Sequence, residues 1–168
     1  PVTIAIERRG QKEVILVASD DTTVRKFTTV LFKAILNGTH ATLKHPAKLG
    51  GRVLDTEFRD SILGVKQGGI IFETGGGSVS IALDSVIDFS RERRQIGGEN
   101  RSAVVVDHAN TGDTMTTVAS TASNRTLSIL GRHLRREYDD QMAELQTLSL
   151  STEETALLTA LYSQAQER

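Results

Sequence analysis

Apolar and polar positions alternate at both ends of an early pair of runs. VTIAIE (Val2–Glu7) and EVILVA (Glu13–Ala18) are rich in β-branched residues and are joined by RRGQK, a pattern that predicts a β-hairpin. The period then lengthens. After Ser19 or Asp20, either able to cap a helix, Val24, Phe27, Leu31 and Ile35 recur at steps of three, four and four as far as Gly38. Val30, Phe32 and Leu36 widen that apolar face, so the helix is expected to be buried on more than one side.

THATLKHPAKLGGRVLD reads as a short strand followed by a loop through Pro46, Gly50 and Gly51, while TEFRDSILGVKQGG fits a strand or a helical turn equally. From Ile70 the period is two again: Val79, Ile81 and Leu83 point one way, Ser78, Ser80 and Ala82 the other. SAVVVDHANTGDTMTTVAS predicts a further hairpin turning at Asn110–Asp113.

The chain ends differently. From Asn124, Leu127, Leu130, Leu134, Tyr138, Met142, Leu145 and Leu148 fall within about 60° of one line on a helical wheel. Ser151 and Glu154 then form a capping-box pattern ahead of Leu157, Leu158, Leu161 and Ala165. The expected fold is α+β: an antiparallel β-rich body with one packed N-terminal helix over residues 1–122, and a C-terminal arm of two helices over 123–168.

Composition narrows the chemistry. With 38% hydrophobic and 4% aromatic residues, a core of Leu, Ile, Val and Ala is affordable in 168 residues. The absence of Cys excludes disulfides, thiolate metal sites and a cysteine nucleophile. No apolar run approaches membrane-spanning length, so no membrane partner is expected. The opening PVTIAIERRG lacks a signal peptide's basic start and apolar stretch, so synthesis in the cytoplasm is expected.

Candidate catalytic and ligand-binding motifs fail one after another. Gly75–Gly77 lie between two alternating runs with no Lys and no helix behind them, so they read as a turn and not as a phosphate loop. His40–Thr42 (HAT) matches one H-x-T copy of a two-histidine phosphoesterase, but the second candidate, His108–Asn110, reads HAN. His108 with Asp107 and Asp113 is the densest acid–base or metal cluster, and it lacks a calcium-loop pattern; a hydrolase using His108 and Asp107 is the weakest of three readings. Catalytic residues, metal ligands and cofactors are therefore expected to be none, and the chain is expected not to be an enzyme.

Charge is unevenly placed although the net is only −1. Arg125, Arg132, Arg135 and Arg136 crowd the start of the long C-terminal helix, while Glu137, Asp139, Asp140 and Glu144 follow. That layout opposes the helix dipole, at a cost of about 0.3–1 kcal/mol per charge near an end. A partner of opposite polarity would account for it. The preferred reading is a second copy, with Leu127, Leu130, Leu134, Tyr138, Met142 and Leu145 as the self-association seam and Arg125, Arg132, Arg136, Asp140 and Glu144 as the inter-subunit charges. The alternative is that the stripe packs on the chain's own body.

SRERRQIGGENR places Arg91, Arg93, Arg94 and Arg101 around a glycine turn, a candidate phosphate or nucleic-acid contact. Glu92 and Glu99 interrupt the patch and no aromatic residue is interleaved, which favours a solvated loop. The expectation is a non-enzymatic subunit of a multi-subunit complex, a homo-oligomer among other protein subunits, of the kind found in a phage head, neck or tail and thus in the virion. The alternative is a small nucleic-acid-binding module, since a helix followed by short, Gly-punctuated strands resembles the order of elements in an Sm-like barrel.

Overall fold

A computed structural model describes residues 1–147. Strands β1 (Val2–Arg8) and β2 (Gln11–Val17) form the expected hairpin, with Val2 opposite Val17, as a separate two-stranded sheet. Helix α1 (Asp21–Leu36) starts at Asp20, whose carboxylate accepts from the Thr23 backbone N–H at 2.9 Å and from the Thr23 hydroxyl at 2.7 Å. It stops ahead of Gly38, whose φ of 78° is the left-handed conformation that ends helices.

The main sheet is built from β3 (Thr39–Leu49), β4 (Arg52–Val53), β5 (Arg59–Lys66), β6 (Gly69–Thr74), β7 (Gly77–Ala82), β8 (Val86–Ile96), β9 (Glu99–Asn110) and β10 (Asp113–Thr121). Its order is β7-β6-β5-β3-β10-β9-β8, with β4 added to β3. Two antiparallel meanders thus meet where β3 pairs with β10. Helix α2 (Asn124–Thr147) follows β10 and closes one face. There Leu127, Leu130 and Leu134 pack with Leu36, Leu63 and Phe72 in the main core. Each fully buried leucine contributes about 1.5–3 kcal/mol, so α2 is anchored by its own body. On the sheet's other face Ala47, Ile96, Ala103, Val105 and Val118 form a second cluster around Phe58. The α+β class is as expected.

Three details differ from expectation. β3 runs on through Pro46, because the β3–β10 ladder is interrupted there: Lys48 faces Thr116 and Lys44 faces Val118, leaving three residues opposite Thr117. SRERRQI is not a loop but most of β8, an 11-residue edge strand that the charged side chains on both its faces disguised. Finally, α1 packs through Thr28, Phe32 and Leu36, about a quarter-turn from the predicted stripe. Phe27 and Ile35 are consequently partly exposed and Val30 is 66% exposed, so the helix is buried on one side only.

No helix among the described residues is long and apolar enough to cross a membrane. Leu148 and the helix expected from Ser151 lie outside the described residues, as does the side chain of Leu145.

Candidate functional site: an arginine-walled groove

α1 and α2 lie antiparallel. Arg25 near the start of α1 pairs with Asp140 far along α2, and Phe32 further along α1 meets His133 nearer the start of α2. Arg25 of α1 thus supplies a cation to the acidic half of α2 within the same chain. That acidic half lies beside the N-terminal half of α1, where the α1 dipole favours negative charge. Asp140 pairs across to Arg25 and not back to Arg136.

Between α1, α2 and strands β8 and β9 runs a groove of about 880 Å³. Its floor is apolar, from Val24, Phe89, Val104 and Leu127. Its walls carry Arg25, Arg91, Arg132, Arg135 and Arg136, against only two acids, Asp139 and Asp140. Secondary contacts hold several of these cations in place. The Arg91 guanidinium donates to the Ser128 hydroxyl at 2.9 Å, and Arg135 lies 4.6 Å over the Phe89 ring. Phe89 in turn meets Tyr138 edge to face at 6.0 Å. Arg132 is exposed and Arg136 half-buried, neither in an ion pair with another described residue. Beside the groove, Arg125 reaches Glu7 of the hairpin at 3.5 Å.

The structure sorts the sequence candidates as follows. Of the leucine stripe, Leu127, Leu130 and Leu134 are buried in the chain's own core and Tyr138 packs against it; Met142 is 36% exposed. Of the charges read as inter-subunit, Arg125 and Asp140 pair within the chain, Arg132 and Arg136 face the groove, and Glu144 is exposed on α2. Of the Arg91, Arg93, Arg94 and Arg101 set, only Arg91 lines the groove. Arg93 donates to the Asn100 carbonyl, while Arg94 pairs with Glu92 and stands opposite Arg101 on β9.

His108 and Asp107 do not form a dyad. As neighbours on β9 they point to opposite faces. Asp107 accepts from the Thr116 hydroxyl, and His108 is buried with its Nε2 at 3.0 Å from the Thr117 hydroxyl. Sequence periodicity does not reveal Arg25, since nothing in the local sequence of α1 couples it to Asp140, 115 positions away.

The comparisons with known proteins bear on what such a groove serves. Residues 2–140 match the family model described as archaeal chemotaxis signal transduction system protein F. The chain is similar to taxis protein CheF2 of Halobacterium salinarum, 35% identical over 96% of this chain and 56% of that protein. It is also similar to taxis protein CheF1 of the same organism, 30% identical over 93% of this chain and 53% of that protein. The chain thus spans a little over half the length of these relatives. The expectation of a phage head, neck or tail component, and of a place in the virion, is overturned by these matches: the relatives aligned along nearly the whole chain are archaeal taxis proteins. The lack of Cys and a charge-polarised helix, read in the sequence, do not distinguish a virion component from a taxis protein, which is why composition pointed the wrong way.

Proposed function

The chain belongs to the family of archaeal chemotaxis signal transduction system protein F, and from that premise we propose that it is a non-enzymatic taxis adaptor whose arginine-walled groove docks an acidic partner protein. The observation that carries this reading is the groove's composition: five arginines and two aspartates around an apolar floor. An amphipathic acidic segment fits both features. Its apolar side would cover Val24, Phe89 and Val104, and its carboxylates would take bidentate bonds from guanidinium groups. The floor argues for protein and against nucleic acid, whose backbone offers it nothing apolar. Self-association remains part of the proposal only through α2 beyond Tyr138, where Met142 is exposed.

The test is a swimming assay in an archaeal host lacking its own copy of the gene. Arg132→Glu with Arg136→Glu should abolish the response to attractant while circular dichroism and chain abundance stay unchanged. A full response from that variant would refute the reading.

A further inference from the structure

A second polar cleft lies between β3, the end of β9 and the edge strand β7. Two adjoining cavities, about 290 and 400 Å³, share His45, Ser78 and Val79 as walls. One wall is a trio. The Thr117 hydroxyl lies 2.7 Å from His45 Nδ1 and 3.0 Å from His108 Nε2, and the two rings stack at 5.9 Å with an interplanar angle of 12°. The interruption of the β3–β10 ladder is what brings this about, because it leaves His45 opposite Thr117. The opposite wall is β7, with Ser78 and Ser80, and the Gly76–Gly77 turn that opens it. Arg59 stands at one end.

The chemistry of this lining is one-sided. The cleft is lined by Arg59, His45, His108, Ser78, Ser80, Ser85 and Asn110, the Ser85 hydroxyl donating to the Ala82 carbonyl at 2.6 Å, with no carboxylate among the described residues. Arg59 is exposed and forms no ion pair with a described residue. β7 is an edge strand, so alternate backbone N–H groups on its open side have no strand partner. The trio adds a donor of its own. A single hydroxyl can donate to one ring nitrogen and accept from the other, so of the two remaining ring nitrogens one carries hydrogen even when both rings are neutral. Donors converging around a cation, with no acid to repel a ligand, make an oxyanion site. The volume exceeds that of a bare oxyanion and extends from the Arg59 end toward Ser80 and Ser85.

We propose that the cleft between Arg59, the Gly76–Ser78 turn and the His45–Thr117–His108 trio binds a small phosphomonoester, its phosphate held at the Arg59 end. This site is separate from the arginine groove and does not depend on the adaptor reading.

The experiment titrates the described fold in its full chain with inorganic phosphate and then glycerol phosphate, following the His45 and His108 ring signals by NMR at constant ionic strength. Both ligands should shift both histidines saturably, with chloride inert, and glycerol phosphate should bind at least as tightly as phosphate. Arg59→Ala, a change at an exposed position, should weaken binding at least tenfold with the spectrum otherwise intact. Ser78→Ala should weaken it to a smaller degree. Absence of a saturable shift, or equal binding by Arg59→Ala, overturns the proposal. So does retention on phosphatidylglycerol vesicles without any response to free phosphate, which would place a lipid surface where a small molecule is claimed.

Discussion

His133 of α2 lies edge-on to Phe32 of α1, ring centroids 6.1 Å apart at 76°, and neither of its ring nitrogens has a hydrogen-bond partner among the described residues. At 2% exposure, with the Lys33 ammonium and the Arg136 guanidinium nearby, the ring is held neutral. Burial first, then those two cations, pull its pKa down to about 4.

The pH dependence of stability follows from that ring. The unfolded chain binds a proton at His133 near pH 6.5 and the folded chain only near 4, so stability is full above 6.5 and falls as pH drops through that interval. The loss is at most about 1.4 kcal/mol per pH unit, roughly 3 kcal/mol in all. His45 and His108, both lowered chiefly by burial, add to the slope in the same direction. Urea unfolding at pH 7.5, 5.5 and 4.5 measures it, and His133→Leu should flatten the curve while raising stability at pH 5.

The seam of α2 is structural. Leu130→Ala, at a site 1% exposed in the main core, should cost about 2–5 kcal/mol in denaturant unfolding. Had the stripe served a second chain instead, the same change would shift the oligomeric state and leave monomer stability nearly untouched.

Arg25 and Asp140 make the opposite case. Their side chains are 61% and 42% exposed, so a double-mutant cycle on stability should return less than about 1 kcal/mol. Arg25→Ala should instead be felt in partner binding, because it removes one of the groove's five arginines.

Two glycines separate packing from punctuation. A Cβ on Gly69 would lie 2.8 Å from the Ile81 carbonyl oxygen, whereas one on Gly75 meets nothing within 4 Å. Gly69→Ala should therefore destabilise by about 1–3 kcal/mol, and Gly75→Ala should be nearly neutral, in thermal or urea melts.

The elements with a clean period were legible in the sequence: the β1–β2 hairpin, α1 with its Asp20 cap, the Asn110–Asp113 turn and the start of α2 at Asn124. β8 was not, because an edge strand reading SRERRQ presents charge on both faces and lacks the alternation that marks a half-buried strand. Pro46 hid the second half of β3 for a related reason, since only the partner strand shows that the ladder tolerates it. A helical wheel showed that Leu127, Leu130 and Leu134 must be covered but could not say by which molecule. The groove was the least legible feature. Arg91, Arg132 and Arg136 were each singled out, yet Val24 and Arg25 come from α1 and Val104 from β9, and only the fold joins them to β8 and α2.

Binding of an acidic amphipathic helix tests the adaptor account most directly. A fluorescently labelled peptide alternating leucine and glutamate at helical spacing is titrated against the wild-type chain and Arg132→Glu with Arg136→Glu, with duplex DNA as competitor. The account predicts saturable binding that weakens with salt, is at least tenfold poorer in the charge-reversed chain and resists DNA. Equal affinity for both chains, or displacement by DNA, would contradict it.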